Sequence, residues 1–344
     1  MSAQATVGWG IVGCGWVARD YVLPALAATP GARLIGTCDH DLAAAHRVAG
    51  GRFATDVLDA LLERPGLCAV YVATPHCAHA AVVAEVAARG IPVLCEKPLA
   101  ADVADARTLV AATRGELAGT AFDQRFHPAH RRISEMVQAG ELGTVTAVRI
   151  VYGCWLPADW SPDGGPHDNW RVDPARAGGG ALVDLAPHGI DLLGALLQDD
   201  LEWLSVLTQR RVHHYPVDDG AALVGRTAGG VLFSAHVSFN TADVLPRRRL
   251  EVVGTRAQLV ADSTMGQTPG GTLTRIDAAS GATSEIPFDG VSSPFTAQLC
   301  AFSDAVRGAA DWPWPLERDL RLHELLHAAW SSGHARIGTS VEVS

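Results

Sequence analysis

The stretch VGWGIVGCGWVA, residues 7–18, decides the fold. An apolar run that reads as a buried strand passes into G-x-G-x-x-A, from Gly13 to Ala18, and then into the helical pattern WVARDYVLPALAAT. Glycines at such a junction allow a tight turn and leave backbone N–H groups open to a pyrophosphate. The helix that follows turns its positive end toward the same charge. A purely structural glycine turn would look alike. Here, however, the motif opens a run of strand–helix units, the context a dinucleotide site requires.

Working outward, ARLIGTCD, AVYVAT, IPVLCEK and ELAGTAFD read as strands. LAAAHRVA, HAAVVAEVAARG and DVADARTLVAATR read as the helices between them. That alternation predicts a parallel sheet covered by helices on both faces. Asp39 ends the second strand, 39 − 15 = 24 residues after Gly15. That is near the offset of about 20 at which a carboxylate accepts hydrogen bonds from an adenosine ribose. A carboxylate there repels a 2′-phosphate, so NAD is favoured over NADP. The competing reading is a helix cap, which Asp41 fits better. No arginine directly follows Asp39, although Arg47 lies on the next helix.

After about residue 123 the texture changes. The helical HPAHRRISEMVQAG and the alternating TVTAVRIVYG precede a loop rich in Trp, Pro, Asp and Gly, from Cys154 to Gly180. An apolar helix and five strand-like runs follow, LEWLSVLTQRRV, DGAALVGRT, GVLFSAHVSF, RRLEVVGT and AQLVAD, and two helical runs, FTAQLCAFSDAVRG and DLRLHELLHAAWSSGHA, close the pattern. Closely spaced strands without intervening helices predict a mostly antiparallel sheet. The expected organisation is α/β in two domains, a Rossmann domain over 1–122 and a second domain over 123–344.

Composition bounds the function. The chain has 344 residues, 48 % apolar and 19 % charged, with a formal charge of −10. Apart from Arg247-Arg248-Arg249 there is no basic run, which disfavours a nucleic-acid partner. Seven scattered cysteines without a CxxC argue against a disulfide framework and a zinc ribbon. His76 with His79, His213 with His214, and Cys95-Glu96 do not make a metal scaffold, so no metal is expected. No leader-like N-terminus or apolar run of membrane length is read. The expectation is a cytoplasmic protein with no membrane partner.

Two further stretches carry chemistry. Lys97 is the only lysine of the chain and sits in Cys95-Glu96-Lys97-Pro98, at the carboxyl end of a strand. Ligands collect at such ends, and Pro98 keeps Lys97 extended. Lysine, unlike arginine, can shift its pKa and give up a proton. The second stretch is GGGALVDLAPHGIDLL, 178–193, which sets Asp184 and His188 four residues apart in an apolar helix. Because Pro187 is best tolerated in a first turn, the helix is expected to start near 184–186. Asp184 and His188 then share one face at its entrance.

The ordered series GIVGCGWVA (10–18), Asp39, VATPHCAH (72–79), EKP (96–98), QRFHP (124–128), GELG (140–143), NWRVDPARAGGGALVDLAPHGID (169–191) and LEVVGTRAQL (250–259) resembles the Gfo/Idh/MocA family of oxidoreductases. Each match is short, but the series runs over nearly the whole chain. The resemblance implies Lys97, Asp184 and His188 as catalytic. It implies a cofactor cradle of Gly13, Cys14, Gly15, Trp16, Val17 and Asp39, with Thr74, Pro75, His79, Glu96 and Lys97 toward the nicotinamide. It also implies that the second sheet is open and that its domain, 123–344, binds substrate and serves oligomerisation, as a homodimer or homotetramer through that sheet. One departure is Ala186, where the family pattern has glycine.

The implied activity is hydride transfer between nicotinamide and a secondary hydroxyl or keto group of a sugar, cyclitol or related polyol. Such oxidation needs a base near neutrality, for which imidazole is suited. It also needs a cation for the oxygen that becomes anionic. Trp160, Asn169 and Arg171, with His167, Asp163 and Asp168 of the same loop, and Arg125 and His127 of QRFHP, are candidate substrate contacts. A surface-loop role competes for each. Two alternatives keep the fold: transient use of NAD in net elimination or epimerisation, and a non-catalytic NAD-binding sensor.

Overall fold

The computed structural model describes residues 6–163, 165 and 168–336. The helices are α1 (Leu23–Ala28), α2 (Leu42–Ala49), α3 (Leu58–Leu62), α4 (His79–Ala87), α5 (Val103–Ala112), α6 (Pro128–Gln138), α7 (Pro174–Ala177), α8 (Ala181–Leu197), α9 (Pro294–Val306) and α10 (Leu316–Ser332). Ala18–Val22, ahead of α1, is wound as a π-helix. The chain divides into two compact units. One comprises Met1–Asp123 with Ser293–Leu320, the other Gln124–Ser292 with Arg321–Ser344.

The first unit holds strands β1 (Val7–Val12), β2 (Ala32–Cys38), β3 (Phe53–Thr55), β4 (Ala69–Val72), β5 (Val93–Cys95) and β6 (Ala118–Thr120). They pair in the order β3-β2-β1-β4-β5-β6, all parallel. The order reverses between β1 and β4, the crevice where open α/β sheets bind ligands. Every residue of β1 is buried, as a parallel strand covered on both faces requires. Trp9, Ile11, Tyr71 and Leu94 pack on one face with Ala18, Val22 and Leu26. Val12, Val70, Val72 and Val93 pack on the other with Leu61, Val83, Val86 and Leu109. The sequence places α9 in the second domain. It groups instead with the first unit, because Phe295, Leu299 and Phe302 complete the face around Trp9. The Trp9 indole N–H donates to Ser303 Oγ at 3.1 Å.

The second unit holds β7 (Val145–Gly153), β8 (Leu201–Gln209), β9 (Gly220–Thr227), β10 (Leu232–Ser238), β11 (Arg248–Gly254), β12 (Ala257–Asp262), β13 (Thr272–Asp277), β14 (Thr283–Glu285) and β15 (His334–Arg336). Their order is β14-β13-β12-β11-β7-β10-β9-β8-β15. Among the described residues only the β7–β10 pair is parallel. One face of the sheet carries Val148, Ile150, Leu223, Phe233, Leu250 and Val252, which form a core with Leu182, Leu185, Ile190 and Leu193 of α8.

One expectation needs correction here. The helix that carries Asp184 starts at Ala181, so Pro187 is its seventh residue and lies inside it. The helix can start early because Asp218 caps it: its carboxylate accepts the N–H groups of Gly180 at 2.9 Å and Leu182 at 2.8 Å. The segment Pro174–Leu197, which runs from α7 through the glycines at 178–180 into α8, has the length and composition of a membrane span, but 89 % of its apolar window is buried inside the unit, as in the core helix of a folded domain.

Candidate functional site

Each unit carries part of the expected residue set. In the first, Gly13 has φ +87°, and a Cβ there would lie 2.5 Å from the Ala73 carbonyl group. Only glycine fits. A Cβ on Gly15 would meet nothing within 4 Å, so the turn leaves an open cradle. Asp39 holds that turn in place. Its Oδ2 accepts the Cys14 N–H at 2.6 Å and its Oδ1 the Asp41 N–H at 2.9 Å. Asp41 in turn caps α2, accepting the Ala43 N–H. Cys14 itself is inert as a nucleophile, because burial first and then Asp39 push its thiol up to about 12.

At the carboxyl ends of β4 and β5, Thr74 Oγ1 is buried with no hydrogen-bond partner. A buried hydroxyl without a partner implies a group that comes to it. With the open Gly15 cradle, this fits a dinucleotide laid over the switch point. Glu96 accepts the Tyr71 hydroxyl at 2.7 Å. Burial, and then Glu96, raise the Tyr71 phenol well above its ordinary value, so it stays a donor. Lys97 lies two residues past β5, half-buried in a bend rather than extended at the strand tip. The His79 ring is fully buried, with Nδ1 3.0 Å from the Pro98 carbonyl and Nε2 3.1 Å from the Thr74 carbonyl.

In the second unit, Asp184 and His188 sit one turn apart on α8, 8 % and 2 % exposed. Arg171 Nε lies 3.9 Å from Asp184 Oδ2, and its guanidinium stacks over Trp170 at 4.5 Å. The His188 ring meets Tyr152 edge-on at 5.5 Å. The Cys154 thiol is driven up to about 12 by burial, with Asp184 adding to it.

The other expected substrate contacts fall differently. Arg125 is 5 % exposed and pairs in bidentate fashion with Asp191, at 2.8 and 2.5 Å. His127 is fully buried and caps α6, accepting the Ala129 N–H, with its ring 4.8 Å from His130. Trp160 packs half-buried on the core. Asn169 donates to the Pro157 carbonyl at 3.1 Å and keeps a buried, unpartnered Oδ1. Asp168 pairs with Arg176, Asp163 accepts the Ser161 hydroxyl, and His167 lies outside the described residues. Tyr71, Tyr152 and Asp218 were missed. Only the Asp218-Asp219 pair ahead of a strand offered a signal, since tertiary contacts alone give the tyrosines their partners. Among the described residues no group of three or more His, Cys, Asp or Glu side chains could hold a metal ion.

Known proteins share the family and fold of this chain. Residues 7–117 match the oxidoreductase family model with an NAD-binding Rossmann fold, and residues 130–260 match the GFO/IDH/MocA C-terminal domain. The chain is 32 % identical to 1,5-anhydro-D-fructose reductase of Ensifer adhaerens, over 87 % of this chain and 88 % of that one. It superposes on a 3-ketoreductase from Actinomadura kijaniata, solved as a point mutant with TDP-benzene and NADP, with a TM-score of 0.79 at 25 % identity over 95 % and 98 % of the two chains. Levoglucosan dehydrogenase, solved with NADH and L-sorbose, gives 0.83 at 20 % identity over 98 % and 100 %. With a glycine turn locked by Asp39, a sheet reversing between β1 and β4, and both family models matched in order, the chain belongs to the GFO/IDH/MocA family of NAD(P)-dependent oxidoreductases.

Proposed function

We propose that this enzyme uses NAD(H) to interconvert a secondary hydroxyl and a keto group on a sugar, cyclitol or related polyol. The observation that carries the cofactor choice is Asp39: a carboxylate at the end of β2, bonded to the Cys14 N–H, is where a 2′-phosphate would be repelled. The sugar class is supported by the 1,5-anhydro-D-fructose reductase likeness over most of both chains. The bound nicotinamide supplies the hydride acceptor or donor. The chain's own residues manage the proton. Lys97 donates to the substrate oxygen as negative charge grows on it. His188 removes the hydroxyl proton in oxidation and returns it in reduction. Asp184, steadied by Arg171, orients the imidazole and stabilises its cationic form. Glu96, held by Tyr71, meets the nicotinamide ribose.

The test is turnover followed by NADH absorbance over a panel of sugars, keto-sugars and inositols. Lys97→Ala and His188→Ala should each lose roughly 100-fold or more in kcat while NADH fluorescence titration still shows binding. Full activity in both variants on the turned-over substrate would remove the assigned roles.

We also propose a homo-oligomer through the outer face of the second sheet. Leu207, Val224 and Leu232 share that face by register and are 74 %, 52 % and 59 % exposed. An apolar face of this kind is what a self-complementary contact buries. Val224→Arg should lower the mass measured by light scattering to that of one chain; an unchanged oligomer in the variant counts against this face.

A further inference from the structure

His79 opens α4, and its two ring nitrogens face two carbonyl oxygens from different loops. One is Thr74 O, in the loop after β4; the other is Pro98 O, in the turn after β5 that carries Lys97. A neutral imidazole has a single N–H. It donates to one carbonyl and turns a lone pair to the other. Burial holds the ring neutral, bringing its pKa down to about 4 against the pull of the carbonyls, and the Lys97 charge adds to the shift. The His76 ring stands 5.7 Å away. With 0 % of the residue exposed and both nitrogens facing backbone, His79 is placed to tie loops together rather than to touch the dinucleotide.

We propose that His79 is a positioning residue for Lys97. Its Nδ1–H holds the Pro98 carbonyl and fixes the turn on which Lys97 stands. Displacing a catalytic group by about 1 Å can cost about 100-fold in rate, so a single buried hydrogen bond at the base of that turn has leverage on kcat. The inference rests on the reading of Lys97 as catalytic.

The experiment compares His79→Leu, His79→Asn, His79→Gln and Lys97→Ala for kcat, NADH affinity and thermal midpoint. ¹⁵N NMR of the wild-type imidazole reads the tautomer. Asparagine places its amide N–H near the Nδ1 position; glutamine carries it one carbon further, toward Nε2. His79→Leu should lose about 100-fold in kcat, with its NADH dissociation constant moving by less than about threefold, about 0.6 kcal/mol. His79→Asn should recover most of the loss, and His79→Gln should not. If His79→Leu does not fold, the contrast between the Asn and Gln variants still decides. An Nε2-protonated tautomer, undiminished kcat in His79→Leu, or equal loss in the Asn and Gln variants overturns the proposal. Lys97→Ala keeping wild-type kcat overturns the catalytic reading itself, a separate failure from loss of kcat in Lys97→Ala beside an unaffected His79→Leu.

Discussion

Asp39 does two things with one carboxylate. It ties the glycine turn to the end of β2 through the Cys14 and Asp41 N–H groups, and on the NAD(H) reading proposed above it sets the charge that a 2′-phosphate would meet. Asp39→Ala should therefore weaken NADH binding about tenfold or more, since a hydrogen bond to a charged group is worth about 1.5–3 kcal/mol. It should also raise the ratio of NADPH to NADH affinity. Parallel fluorescence titrations check both, and an unchanged ratio would show that Asp39 does not discriminate. At this scale the sequence was legible where spacing alone sets the backbone, as with the positive-φ turn at Gly13. It was less so where a side chain's partner is remote. Arg125 and His127 look like cleft residues in QRFHP, yet Asp191, 66 residues away, engages the first, and the second caps its own helix.

Among the elements, α8 shows what sequence pattern leaves out. Its apolar periodicity and its Asp184–His188 pair are readable; its start is not. Pro187 pointed to a helix beginning near 184–186, whereas a cap from Asp218, at the entry to β9, lets it begin at Ala181. The contact is close: a Cβ on Gly180 would lie 1.9 Å from the Asp218 carbonyl oxygen. Gly180→Ala should destabilise the protein by about 2 kcal/mol or more, as overpacking against backbone does. Asp218→Asn keeps one capping oxygen but turns an amide N–H toward the second backbone N–H, and should cost about 1–2 kcal/mol, less than Gly180→Ala. Urea unfolding of the two variants measures the order; the reverse order would mean the carboxylate charge, not the close approach, sets the helix start. β13 and β14 were not read, and the residues at the start of β15 were read as the end of the closing helix. β13 and β14 are short or half-exposed and lack the apolar alternation that marks a strand, and β15 is only three residues long.

For the molecule as a whole, two buried histidines contribute to the response to acid between pH 7 and 5. Burial, mainly, lowers His79 to about 4 and His130 to about 3, from an ordinary 6.5. Both rings are neutral in the folded chain and take up protons when unfolded. The unfolded state thus gains protons as pH falls below 6.5, and stability drops by about 1.4 kcal/mol per pH unit for each histidine until the folded pKa is reached. The denaturation midpoint should be lower at pH 5 than at pH 7, and His130→Asn should flatten that difference. Equal midpoints at the two pH values would show that these rings are already charged or solvated. The grouping of Ser293–Leu320 with the first unit was not legible in the sequence, because only the finished sheet exposes the apolar face that α9 covers. The burial of Pro174–Leu197 also has a temporal side. Of the strands that touch α8, β7 is made before it and β8, β9 and β10 after it, and Leu250 and Val252 of β11 complete the same core later still. Much of what buries this segment is therefore made after it, so a chain that stops before β8 should leave part of the apolar face of α8 uncovered.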